Sequence, residues 1–202
     1  GAAPVDEPMP PFQVEDADAV LMSPARNRAT IQPSSILEGL PVFTVPGAEL
    51  AYRIADVNYL DRVAFSPDGS RLAVIYKPNQ GSGNRELRVS DALTGTPIAQ
   101  TPLGSTNAVF GLLYDAHRPL IYIASGEEAT GRVTLEIRHA ATLEVAGRLE
   151  APEGLPRCTY GNCYSAALAT STEPAVYFAF NGSSDAGSQL TVGRALDIFE
   201  SQ

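Results

Sequence analysis

The chain has 202 residues, 44% of them hydrophobic, which is enough for one sizeable core and argues against wholesale disorder. Its net charge of −9 and its pI near 4.7 argue against binding nucleic acid or anionic membranes, which needs clustered Lys and Arg. No run approaches the roughly 18 consecutive apolar residues of a membrane-spanning helix, so no membrane span is expected.

The first 16 residues form an arm rich in proline (Pro4, Pro8, Pro10, Pro11) and acid (Asp6, Glu7, Glu15, Asp16). Such a segment is extended on its own, and its prolines bar it from a central strand. It is expected to pack on this domain or on a partner. The opening Gly1-Ala2-Ala3-Pro4 carries no cleavable signal-peptide pattern and fits a processed or trimmed start. Residues 17–202 form the second unit, an all-β repeat domain. Alternation and β-branched or aromatic content predict strands near 18–23, 28–32, 41–45 and 49–57, then 62–66, 71–77, 86–91 and 96–101. A third set falls near 108–114, 119–125, 132–139 and 144–150. A fourth falls near 164–170, 175–180 and 189–194, with a poorly formed last strand at 197–200. Turn signals separate them, among them Pro67-Asp68-Gly69, Leu93-Thr94-Gly95, His117-Arg118-Pro119 and Asn181-Gly182. No segment shows an amphipathic helical stripe with caps.

The four sets are in register. Val63-Ala64-Phe65-Ser66-Pro67-Asp68-Gly69-Ser70-Arg71-Leu72-Ala73-Val74 aligns with the segment from Leu112 to Ile123, 49 positions on, and with Ala167 to Phe178, 55 further. Upstream, Ser23-Pro24 aligns with Ser66-Pro67, 43 positions earlier. A period of roughly 40–50 residues with several strands per repeat marks a propeller blade. The Val63–Val74 segment resembles the strand pair shared by WD40-like, TolB-like and YVTN-type propellers. Glu86 to Ala99 is similar to the third and fourth strands of the YVTN type. The resemblance implies about four blades of four antiparallel strands, as a small closed ring or as part of a larger one. The Trp-Asp dipeptide of true WD40 repeats is absent, since the chain has no Trp.

Three groups of residues are candidates for function. The same register places Glu15, Asn58, Asn107 and Asn162 where successive blades enter the central channel. One carboxylate and three amides are hard oxygen ligands that suit calcium. They are similar to the calcium ring of six-bladed lactonase-type hydrolases, whose metal polarises a lactone or ester carbonyl. The alternative is that each Asn caps its own turn. Next, long polar loops carry Lys77, Arg85, Glu127, Glu128 and Asp185 on one face, joined there by Tyr160. They offer a binding surface, or else they are solvated hairpin tips. Finally, Cys158 and Cys163 flank Gly161-Asn162, a spacing that allows a local disulfide and an oxidising compartment. A metal half-site and two free buried thiols are the alternatives. His117 and His139 have no nucleophile motif beside them and are expected at the surface.

The sequence thus predicts an exported propeller, extracellular or periplasmic, that binds or scaffolds a protein partner or a second copy of itself. A calcium-dependent lactonase or esterase and a structural subunit of a larger complex are the rival readings.

Overall fold

The structure is a computed structural model, and it describes residues 17–33, 39–57, 59–78, 84–127, 133–150, 163–170, 176–184 and 187–194. Among them are fourteen strands and no helix. The first sheet orders β1 (Ala17–Met22), β2 (Arg28–Pro33), β3 (Leu40–Thr44) and β4 (Leu50–Ile54). A seven-stranded sheet follows: β5 (Tyr59–Phe65), β6 (Arg71–Lys77), β7 (Asn84–Asp91), β8 (Pro97–Tyr114), β9 (Leu120–Glu127), β10 (Val133–His139) and β11 (Val145–Glu150). The last sheet holds β12 (Cys163–Thr170), β13 (Val176–Ser184) and β14 (Gly187–Arg194). The strand expected at 197–200 lies outside the described residues.

Every pairing is antiparallel, and strands pair in sequence order. The seven-stranded sheet is two four-stranded units that share β8. Residues 97–105 of β8 close the β5–β7 unit, and residues 106–114 open the β9–β11 unit. The sequence reading places two separate strands here, at 96–101 and 108–114. The chain instead bends through Gly104, at φ 78°, with register shifts on both sides, and stays extended.

Side-chain alternation on β6 explains how the sheets stack. Leu72, Val74 and Tyr76 point to one face and meet Leu40, Val42 and Ile54 of the first sheet. Ala73 and Ile75 point to the other and meet Val109, Leu112, Ile121 and Ile123 of the third unit. A strand apolar on both faces needs a sheet on each side, and β6 has them. Apolar burial stabilises by about 25 cal/mol per Å², and both faces of β6 contribute it.

The first strand of each unit approaches the first strand of the next: β1 meets β5, β5 meets β8, and β8 meets β12. No comparable contact joins the first and last sheets among the described residues. The fold is therefore all-β and β-propeller-like, and among the described residues the sheets form an arc that does not close into a ring. Leu21 packs inward against the second unit, while its neighbours Val20 and Met22 lie exposed on the outer side of the first sheet.

Candidate functional site

The tight turns gather at one end of the arc. Each first-to-second-strand turn is built the same way. Ser23, Ser66 and Asp115 each donate a backbone N–H to a carbonyl five residues on: Arg28 at 2.8 Å, Arg71 at 2.9 Å and Leu120 at 2.9 Å. The side chain at that position then caps the turn. Ser66 Oγ accepts from the Arg71 amide at 2.9 Å, and Ser23 Oγ from the Arg28 amide at 3.2 Å. Asp115 Oδ1 accepts from the amides of His117 and Arg118, at 2.8 and 3.0 Å. Short oxygen-bearing side chains satisfy turn amides in this way, and they hold the turns rigid.

Between the turns of the second and third units lies a groove of about 380 Å³. Ser66–Asp68, Ser70 and Arg71 line one wall, Tyr114–Pro119 the other, and Ala140 with Ala141 the end. Arg71 Nη1 spans the groove to the Ala140 carbonyl at 3.2 Å. Asp68 accepts from both Ser66 and Ser70. These bonds, that of the Ser66 hydroxyl first, hold its carboxyl down to about 2, so it is ionised at any physiological pH. On the far wall, Asp115 Oδ2 accepts from Arg118 Nε at 2.8 Å and from the Tyr122 hydroxyl at 2.9 Å. Arg118 Nη2 also donates to Tyr122 Oη at 2.7 Å, and its guanidinium sits 6.0 Å from the Tyr122 ring centre. Burial and the Asp115 carboxylate push the Tyr122 hydroxyl up to about 12, so it remains a donor.

Asp115 is buried, which alone would raise its pKa, but the amides of His117 and Arg118 with the Arg118 and Tyr122 side chains outweigh burial and lower it. A carboxyl depressed in the folded state stabilises above its unfolded value, near 3.9, and loses that contribution as pH falls through the lower folded value. Asp115→Asn is therefore expected to be less stable than wild type at pH 7 by about 1–3 kcal/mol. The gap should shrink below about pH 4. Urea midpoints at pH 7 and pH 3 check this, and a gap independent of pH would contradict it.

The opposite end of the arc carries the loops that the sequence singles out. Lys77 ends β6 there. Arg85 lies within β7, buried, with Nε 2.7 Å from Asp61 Oδ2, so its charge is turned inward and not presented at a loop tip. Glu127 ends β9, and only its backbone is described. Glu128, Tyr160 and Asp185 lie outside the described residues, as do Glu15, Asn58 and Asn162 of the expected calcium ring. Asn107 falls within β8, with its backbone alone described. Cys158 also lies outside the described residues, and Cys163 begins β12 with only its backbone described, so the expected disulfide lies outside the described residues. Among the described residues, no three His, Cys, Asp or Glu side chains cluster to hold a metal. His117 and His139 are both exposed, as expected.

Comparison with known proteins bears on the fold. No family model matches the chain, and no curated protein matches it. Among solved structures the chain is similar to the Kuenenia stuttgartiensis hydrazine synthase, with a TM-score of 0.65 at 15% identity. The likeness shows a β-propeller-like fold. It covers 92% of this chain and 55% of the solved one, so this chain spans about half the length of that protein. Such matches extend to 309 solved chains, and propellers carry many unrelated functions, so the likeness conveys architecture and no activity.

Proposed function

We propose that the chain is the β-propeller-like module of an exported protein, and that it binds or scaffolds a partner through the turn end of the arc. The observation that supports this is the groove between the second and third units. Its walls are rigid turns, its volume of about 380 Å³ suits a small ligand or one anchoring side chain, and its lining sets Asp68, Arg71, Asp115 and Arg118 among apolar groups. Loops and turns set on a fixed scaffold are the usual place for recognition. The exposed Val20 and Met22 on the outer side of the first sheet give a protein partner or second copy a second point of contact. Export rests on the Cys158–Cys163 spacing alone.

The reading is tested by mapping amide shifts on isotope-labelled protein against a mixed set of small cationic, anionic and neutral probes. Shifts are expected to cluster at residues 66–71 and 114–119. Clustering at the loop end near Lys77 and Asn84, or no cluster at all, overturns it.

A further inference from the structure

We propose that the groove is a carboxylate site, in which Arg71 and the Tyr114 hydroxyl take the ligand's oxygens. The proposal rests on the binding reading above and names its ligand chemistry.

Two observations carry it. The first is Tyr114, which lines the groove and is 5% exposed, and whose hydroxyl has no hydrogen-bond partner among the described residues. A buried hydroxyl without a partner is costly, and its persistence calls for something that completes it. Burial, opposed by Arg71 and reinforced by Asp68, pushes this phenol well above its ordinary value, so it stays a proton donor. The second is the imbalance between donors and acceptors. Arg71 spends Nη1 on the Ala140 carbonyl, and no described acceptor takes Nε or Nη2. The groove's carboxylates are already engaged: Asp68 by Ser66 and Ser70, Asp115 by two amides, Arg118 and Tyr122.

What the groove offers is therefore N–H and O–H, and what it lacks is an acceptor. A planar guanidinium fork matches the two oxygens of a carboxylate. The charges of Asp68 and Asp115 offset those of Arg71 and Arg118, so the groove has no excess positive charge to favour a dianionic phosphate, and the planar fork favours a carboxylate. A small free carboxylate and the acidic side chain of a protein partner present this same group.

The test is titration of the intact chain, read by calorimetry and amide shifts. The probes are acetate, a doubly capped glutamyl peptide, its glutaminyl counterpart and inorganic phosphate. Acetate and the glutamyl peptide are expected to saturate at residues 66–71 and 114–119, and the glutaminyl peptide to bind about tenfold more weakly. Comparable affinity of acetate and glutamyl peptide points to a small ligand, while a clear preference for the peptide points to a protein partner. Arg71→Gln should weaken binding about tenfold and Tyr114→Phe about fivefold. Tyr114→Phe removes only an unpartnered hydroxyl, so its thermal midpoint should not fall. Unchanged affinity in Tyr114→Phe, or tighter binding of phosphate than of acetate, overturns the proposal. If neutral or cationic probes shift these amides and carboxylates do not, the carboxylate site falls and the binding reading stands. If no probe of any charge shifts them, both fall.

Discussion

Replacing Arg88 by alanine is expected to cost about 1–3 kcal/mol, because it strips the buried member from a partly buried polar network. Arg88 sits on β7 and is 9% exposed. It donates to the Tyr76 hydroxyl at 2.7 Å, to Gln100 Oε1 at 3.0 Å and to the Ala55 carbonyl at 2.9 Å. Its guanidinium lies 5.0 Å from the Tyr76 ring centre. Tyr76 in turn donates to Glu86 Oε2 at 2.6 Å, and Gln100 Nε2 donates to the same oxygen. The bond to Ala55 crosses from the second unit to the segment after β4, so Arg88 also ties two sheets together. Without it, the Tyr76 hydroxyl and the Ala55 carbonyl lose a donor, and the half-buried Glu86 loses a cationic neighbour. The melting temperature should fall by roughly 4–8 °C for a chain of this size. Arg88→Met, which refills the volume without the charge, should recover part of the loss. A cost for Arg88→Ala under 1 kcal/mol by urea denaturation would show that the network is not what joins these sheets.

Gly95→Ala is expected to be the most damaging single-methyl change among the turn glycines. Gly95 has φ 75°, a conformation that costs a residue with a Cβ about 1–2 kcal/mol. Strain alone does not decide the outcome. Ala48 and Leu143 occupy the matching positions of the first and third units, at φ 54° and 62°. All three close the same turn, with Ala48, Gly95 and Leu143 amides donating to the carbonyls of Thr44, Asp91 and His139 at 2.9, 2.9 and 2.8 Å. Leu143 offsets its strain by burying its side chain. What sets Gly95 apart is Tyr52 of the first sheet. A Cβ there would stand 2.5 Å from Tyr52 Cδ2 and 2.7 Å from Cε2. The ring is pinned by its hydroxyl, which donates to the Ala92 carbonyl at 2.7 Å. Moving it breaks that bond, and staying keeps the clash. Strain and overpacking together come to about 2–4 kcal/mol. In a Tyr52→Leu background the same change should cost only the strain, and the difference measures the contact. Equal costs in both backgrounds would place the whole effect in the backbone.

Much of the architecture was legible because it is written in alternation. Leu72, Val74 and Tyr76 against Ala73 and Ile75 show a strand buried on both sides, which only stacked sheets provide. The strand edges at Arg71 and Lys77 fall where the pattern places them. The fusion of two expected strands into β8 was not legible. Gly104 reads equally as a stop or as a bend, and pairing with both β7 and β9 decides between them. The groove was half visible. The repeat aligns Ser66 with Asp115, which is why both cap the same turn. It also aligns Arg71 with Leu120, and this break in the pattern is the trace of the residue that crosses between units. Its partner, the carbonyl of Ala140, is 69 residues away, and no local spacing encodes that approach. The sequence points to the loop face and not to the groove because length and polarity mark loops, whereas unspent donors become apparent only when walls from two units are set side by side.

The second unit is sandwiched between its neighbours, and native-state hydrogen exchange reads that burial strand by strand. Strand β6 is buried from Leu72 to Tyr76, while β11 is largely exposed along its length. The amides of residues 72–76 should exchange near the rate of global unfolding, and those of the β11 edge orders of magnitude faster. Exchange of the β6 amides as fast as those of β11 would contradict the stacked arc.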